Sequence, residues 1–336
     1  MLLSRTAETI YWMSRYLERA ENAARIISVN ANVLLDLPKG IAPGWEPLLA
    51  ITGSSSLFFT RYEEANERNV VKFLVSDRKN PSSIISSLSQ AREGLRTTRA
   101  VFPQGAWEIL NDLYYFVEEN KAQGLTRKGR YDYLKHIVRS CQAMAGNMSG
   151  SMSHDKSYEF LRIGRYIERA DMTTRVLEVR AVNLMPEQVD ELKPFDDIQW
   201  KSVLDSLACY QMYRRHVHVR VKGQAVLSYL VQDKQFPRSI LYCLGEVENC
   251  LRSLPNNEAA LRAVGRAQRR AAGIDAHDLA KQRLSDFSDQ QQIALAKIHE
   301  QIAASFFQMD RQPPPKTGKA KSIAQQGSKK EKEQAA

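Results

Sequence analysis

Long hydrophobic runs are missing from this 336-residue sequence: none approaches the roughly 20 apolar residues that span a bilayer. The start, Met1-Leu2-Leu3-Ser4-Arg5, leads straight into charged amphipathic sequence, without the apolar core and cleavage site of a secretory signal. The expectation is a soluble, cytoplasmic chain with no membrane segment. Cysteine is scarce as well. Cys141, Cys209, Cys243 and Cys250 form no CxxC, and no Cys/His spacing fits zinc. In apolar, helix-like surroundings they read as reduced core residues. The sequence also lacks a P-loop, a strand-linked GxGxxG, GxSxG and HExxH, and none of the six histidines has a Glu three residues before it, as a di-iron bundle requires. Neither a metal nor a cofactor is expected from these motifs. Alternating strand-like patterns are absent.

What is present begins with charge. The net charge of +10 suggests nucleic acid until it is divided. Residues 311–336 hold seven basic and two acidic residues, so that segment alone supplies half the excess. It reads Gln-Pro-Pro-Pro-Lys-Thr-Gly-Lys and then Lys, Gln, Ser and Ala, too little apolar surface to offset the entropy of ordering. It is expected to be a disordered basic tail, and the body is only mildly basic.

An internal repeat organises the rest. Residues 15–25 (RYLERAENAAR) and 165–175 (RYIERADMTTR) are identical at six of eleven positions. Residues 73–96 align without gaps to 229–252, with nine of twenty-four identical, including Asp77/Asp233 and Pro81/Pro237. Trp45 corresponds to Trp200. The order and near-constant offset predict a duplication, with units at 1–152 and 153–310 packed as one compact body. Each unit should hold a long helix (about 6–34 and 155–184) and a Pro/Gly- or Pro/Asp-containing linker. A second helix, with room for a break, then runs from the tryptophan through Phe73 or Tyr229. A third should carry Pro81 or Pro237 at its first position, where a missing N–H costs nothing. Helices at 104–120 and 129–150 join the units, and 257–272 and 276–308 close the chain. Long helices with short links predict an all-α, pseudo-symmetric helical bundle.

The repeated helices carry the chemistry. At 100° per residue, Ile10, Met13, Leu17, Ala20, Ala24 and Ile27 form an apolar stripe, with Arg15, Glu18, Asn22 and Arg25 nearly opposite. In the second copy, Leu161, Met172, Val176 and Val179 share the side that carries Arg165, Glu168 and Arg175. A helix that is apolar all round is normally buried, so these charges should be partly buried and need partners. Helical spacing offers Arg15–Glu18, Arg165–Glu168, Glu21–Arg25 and Asp171–Arg175. If the helices face each other, Arg15, Glu18, Arg165 and Glu168 would share a polar centre. That centre reads either as an ion-pair network registering the halves or as a ligand pocket. In a pocket, Arg15 and Arg165 would clamp a carboxylate or phosphate, Glu18 and Glu168 would orient them or accept an amine, and Tyr16 and Tyr166 would add hydroxyl contacts. Arg19, Arg25, Arg169 and Arg175 belong to the same constellation.

At these residues the sequence resembles the Alpha-E family of bacterial helical proteins, named for a Glu-Arg motif. The resemblance covers roughly residues 1–310. It is carried by Tyr11-Trp12 through Arg25, with Arg15-Tyr16-Leu17-Glu18-Arg19-Ala20-Glu21, and by Phe160 through Arg175, with Gly164-Arg165-Tyr166-Ile167-Glu168-Arg169-Ala170. It implies a genomic association with a circularly permuted ATP-grasp protein, often with a transglutaminase-like protein nearby. ATP-grasp enzymes activate carboxylates as acyl phosphates and join them to amines. The resemblance therefore implies an accessory or substrate-handling partner of a peptide or amide ligase system, rather than a stand-alone enzyme.

Two other classes stay open. His136, His154-Asp155 and His277-Asp278 echo the set used by helical metal-dependent phosphohydrolases, although Ser153–Asp155 could simply cap the helix that carries Glu168. Arg262, Arg266, Arg269 and Arg270, with the Lys-rich tail, could contact nucleic-acid phosphates, but no helix-turn-helix signature or dominant basic stripe supports them. His216 and His218 read as surface residues in a basic run.

Overall fold

The computed structural model describes residues 4–37, 44–181, 196–217, 220–279 and 284–307. The basic tail and most of both predicted linkers (Pro38, Gly40 and Pro43; Pro186 and Pro194) lie outside these residues. The described chain is all-α, with no strand among the described residues. In order, the helices are α1 (Ser4–Asp36), α2 (Pro47–Ile51), α3 (Ser55–Phe59), α4 (Glu67–Val75), α5 (Ile84–Thr97), α6 (Gln104–Glu119), α7 (Lys121–Leu125) and α8 (Arg127–Ser151). They continue with α9 (Lys156–Val176), α10 (Asp196–Ser206), α11 (Tyr210–Val217), α12 (Gly223–Gln232), α13 (Ile240–Arg252), α14 (Glu258–Ala272), α15 (Ala276–Asp278) and α16 (Leu284–Ile302). Wider π-type turns, Leu177–Ala181 and Ala303–Phe307, extend α9 and α16.

Helix α1 is the spine. Its 33 residues contain no Gly or Pro, so nothing interrupts a rod about 50 Å long. Its buried residues lie on every side, from Ile10 and Met13 to Glu18, Asn22 and Ile26. The reason is that α5, α8, α9 and α10 all pack against it, while α9 in turn meets α13 and α16. One continuous apolar core, including Ile27, Phe73, Leu88, Ile137, Leu161, Leu230 and Leu244, runs through both halves of the chain.

At the crossing of α1 and α9, Gly164 replaces a side chain with nothing. A Cβ there would sit 2.3 Å from the Tyr11 carbonyl oxygen and 3.3 Å from the Ser14 Cβ. The two backbones can approach this closely because the facing residues are Gly and Ser.

The second helix of each predicted unit is broken twice. Between α2 and α3, Gly53 adopts φ +62; between α10 and α11, Ala208, 155 residues on, adopts φ +54. A left-handed residue ends each helix and turns the chain. Helices α5 and α13 begin later than predicted. Their N-caps are Ser83 and Ser239, whose hydroxyls accept hydrogen bonds from the Ser86 N–H (3.2 Å) and the Tyr242 N–H (3.1 Å). Pro81 and Pro237 therefore lie two residues ahead of the caps, in the turn; the serines, which can cap, outcompete them as the start signal. The predicted 276–308 helix is likewise divided into α15 and α16, with residues 280–283 outside the described ones.

Candidate functional site

The polar centre is built where α1 and α9 cross, and its ion pairs run between the helices. Arg15 Nε donates to Glu168 Oε2 at 2.7 Å, and Arg19 Nε donates to Glu168 Oε1 at 2.7 Å, with Arg19 Nη2 reaching Oε2 at 3.2 Å. In return, Arg169 Nε donates to Glu18 Oε1 at 3.0 Å. Glu18 and Glu168 are 5% and 3% exposed, so neither carboxylate could remain charged without these partners. Burial alone would raise Glu18, but the Arg169 and Arg238 guanidiniums outweigh it and hold the carboxyl at about 2. Glu168 is also held below the ordinary range, because Arg15 and Arg19 overcome its desolvation.

The two ends of this centre differ. At Glu18, a buried arginine from the turn before α13 completes the shell. Arg238 Nη1 donates to Glu18 Oε1 (2.6 Å) and Asn22 Oδ1 (3.0 Å), and Nη2 donates to Glu21 Oε1 (3.0 Å). Glu21 also pairs with Arg25. At Glu168 the sequence position aligned with Arg238 is Ser82, and there a partly open cavity of about 390 Å³ replaces the guanidinium. Arg15, Arg19, Glu168, Asp171, Arg175 and His299 line it, with Ser82 and Gly53 at its wall. Arg175 is fixed by Asp171, its Nε donating to Oδ2 at 2.8 Å. Gly53 has a positive φ, and a Cβ there would lie 2.9 Å from Arg175 Nη1, so the guanidinium would have to shift.

A short relay adds a neutral imidazole to the wall. Arg15 Nη1 donates to the Tyr11 hydroxyl oxygen at 3.1 Å, and that hydroxyl lies 2.9 Å from His299 Nδ1. Burial, outweighing Arg15, raises the Tyr11 hydroxyl, so it keeps its proton. That hydroxyl accepts from Arg15 and shares a second hydrogen bond with His299 Nδ1, whose direction follows the imidazole tautomer. Burial, and then Arg15, depress His299 below its usual range, so it is neutral at pH 7. The cavity wall thus carries three guanidiniums against two carboxylates, an excess of one positive charge. Trp12 stacks under Arg15, 4.9 Å from the guanidinium carbon to the ring centre, and holds it against the cavity.

The family model for Alpha-E, described as a predicted α-helical domain with a conserved ER motif, matches residues 2–307. The chain belongs to the Alpha-E family. It is similar to uncharacterized proteins of Mycobacterium bovis and of two strains of Mycobacterium tuberculosis, at 22–23% identity over 289 residues. Each match covers 77% of this chain and 30% of the relative, so the chain spans less than a third of the length of these relatives. No solved structure matches.

In this Alpha-E chain the Glu-Arg residues of both motifs do meet, but along different lines from those that helical spacing offers. Arg15 bonds Glu168 rather than Glu18, because the carboxylate on the crossing helix lies in line with its Nε. Arg165 is not paired with Glu168; burial and the neighbouring Arg169 lower its affinity for its proton, partly offset by Glu18. The intrahelical pairs Glu21–Arg25 and Asp171–Arg175 form as spaced. Tyr16 and Tyr166 use their ring faces, with Arg19 and Arg169 each 5.7 Å above a ring centre, in place of the expected hydroxyl contacts. Arg19 and Arg175 line the cavity, whereas Arg25 and Arg169 belong to the end that Arg238 fills.

Arg238, Ser82 and His299 were not singled out by sequence, and Tyr11 entered only as the start of the first motif. Ser82 and Arg238 are one of fifteen differing pairs among the twenty-four aligned positions, so nothing in the alignment set them apart. Nothing in the sequence ties His299 to Tyr11, 288 positions away.

The residues behind the phosphohydrolase alternative are occupied elsewhere. His154 stacks on Tyr158 with ring centres 3.9 Å apart, His136 packs on Phe116 at 3.9 Å, and Asp155 caps α9 by accepting from Ser157 N (2.8 Å) and Tyr158 N (3.3 Å). Among the described residues no group of three His, Cys, Asp or Glu could hold a metal ion. Arg262, Arg266, Arg269 and Arg270 lie on α14, and the tail that would join them in binding nucleic acid is outside the described residues. All four cysteines are free and buried. No described helix is long and apolar enough to cross a membrane.

Proposed function

We propose that this Alpha-E protein, built from two copies of one helical unit, is an accessory subunit that holds substrate for a circularly permuted ATP-grasp amide ligase. The observation that carries the reading is the cavity beside Glu168, where Arg15, Arg19 and Arg175 outnumber the carboxylates in a partly buried site. Guanidinium forks in a desolvated wall bind carboxylate or phosphate oxygens in pairs. ATP-grasp chemistry passes from a carboxylate through an acyl phosphate to an amide, so both anions belong to such a system. Arg15 and Arg175 would grip the anion, and Glu168 would orient Arg15 and Arg19. The ligase partner is proposed from the family, with a transglutaminase-like protein as a second component.

The test is a tagged pull-down from native lysate with the wild-type chain and with Arg15→Ala/Arg175→Ala, after thermal melts show that both fold. Recovery of an ATP-grasp protein by the wild type supports the partnership, and loss in the double variant places the contact at or coupled to the cavity. Absence of any ligase across several salt concentrations refutes the accessory-subunit reading. If Glu168→Gln unfolds the chain and Arg15→Ala/Arg175→Ala leaves every anion titration unchanged, the centre is an ion-pair network alone.

A further inference from the structure

The unequal ends of the polar centre identify what the cavity takes. Arg238 brings a guanidinium into the cleft formed by Glu18, Glu21 and Asn22, bonded to all three. The alignment that sets Ser82 against Arg238 also sets Glu168 against Glu18 and Asp171 against Glu21. At Glu168 and Asp171, however, Ser82 is too short to reach, and space remains in place of the cation. Asp171 pairs with Arg175 through Oδ2, which leaves Oδ1 as an acceptor, and Glu168 keeps spare lone-pair capacity on Oε1. Arg15 already gives Glu168 the second guanidinium that Arg238 gives Glu18, but Ser82 does not reach Asp171 as Arg238 reaches Glu21, so beside Asp171 a ligand must bring its own cation.

That cation cannot be the whole ligand. Three guanidiniums against two carboxylates, with His299 neutral, leave the wall one positive charge in excess. A simple amine would increase this excess. A dicarboxylate or dianionic phosphate would over-neutralise that excess by one charge, and a single carboxylate would leave Asp171 Oδ1 without a cation. A ligand carrying one ammonium and two carboxylates balances both ends.

We infer that the open end of the polar centre takes a free α-amino dicarboxylate. Its ammonium occupies the place by Asp171 that Arg238 fills by Glu21 at the other end, and its carboxylates engage Arg15 and Arg175. The cavity's volume exceeds that of a single such molecule, and it shares Arg19 and Ser82 with an outer groove of about 580 Å³. Ser86, Ser89 and Lys79 line that groove, which gives the ligand a polar route past Ser82. This inference rests on the anion-holding reading above and narrows it to one substrate class.

The experiment is isothermal titration of the full chain with L-glutamate, glutarate, L-lysine and inorganic phosphate, repeated on Ser82→Arg and Ser82→Lys. Either new cation would occupy the space that the ligand's ammonium needs, as Arg238 does beside Glu21. The expected result is one equivalent of L-glutamate bound. Glutarate, which lacks the ammonium and its charged hydrogen bonds, should bind about 10- to 100-fold more weakly. L-lysine should not bind, and whichever Ser82 variant retains the wild-type melt should lose glutamate at least tenfold. Glutarate or phosphate binding as tightly as glutamate overturns the ammonium assignment while leaving the anion-holding reading intact. Unchanged glutamate affinity in a folded Ser82 variant overturns the location. Failure of every anion to bind at millimolar concentration overturns both, whatever the pull-down recovers.

Discussion

Replacing Gly164 with Ala tests whether the close crossing of α1 and α9 aligns the site. The added Cβ would stand 2.3 Å from the Tyr11 carbonyl oxygen and 3.2 Å from its carbon. Carbon–oxygen contacts settle at about 3.3–3.6 Å, so the helices must part by ~1 Å. The obstacle is backbone, which cannot rotate aside as a side chain would. Overpacking of this kind costs about 1–3 kcal/mol, whereas Ala in place of Gly inside a helix returns up to about 1 kcal/mol. The separation also stretches the Arg15–Glu168 and Arg19–Glu168 bonds from 2.7 Å and the Arg169–Glu18 bond from 3.0 Å. Charged hydrogen bonds are worth about 1.5–3 kcal/mol each, and partial loss of three tips the balance. The expected net loss is about 2–3 kcal/mol. Urea unfolding followed by circular dichroism should show a lower midpoint with an unchanged slope. Gly146→Ala, on α8, is the control: nothing lies within 4 Å of its new Cβ, so helix propensity alone should make it neutral or stabilising. A Gly164→Ala midpoint equal to or above wild type refutes the claim that this crossing is set by the missing side chain.

Three further outcomes follow from the same geometry. Glu18, held at about 2 when folded against an ordinary value of 4.5, contributes stability that is complete above pH 4.5 and drains away as the pH falls toward 2. Glu18→Gln should remove that acid dependence and, by stranding Arg169 and leaving Arg238 only Glu21 and Asn22, cost about 3–5 kcal/mol at pH 7; a variant as stable as wild type at pH 7 would show that the pair contributes nothing. Asp155→Ala should cost about 1 kcal/mol through loss of the α9 N-cap, without altering any phosphatase background, and a metal-dependent phosphatase activity that disappears in this variant would revive the phosphohydrolase reading. In nitrogen NMR, His299 should titrate below 6.5, because burial and then Arg15 disfavour its cation, and a value at or above 6.5 would refute that reasoning.

Much of the architecture was legible because local rules suffice for it. Uninterrupted helix formers fix α1, and the all-round apolar pattern of α9 shows that its charges are buried. The Alpha-E motif residues were visible for the same reason: a repeated Glu-Arg pattern on a helix with no wet face demands partners. Which partner each charge takes depends on tertiary structure. Helical spacing suggested Arg15 with Glu18, whereas the crossing at Gly164 lays Glu168 across Arg15 and Arg19. Prolines 81 and 237 looked like helix starts, yet the serines two residues on provide the hydrogen bonds. Above all, only the packing of α5 and α13 against the crossing pair shows that Arg238 fills one end of the centre while Ser82 leaves the other open. Backbone preferences act over a few residues and can be read along the chain. Pairing of buried charges depends on which side chains arrive from distant helices, and that is decided when the core closes.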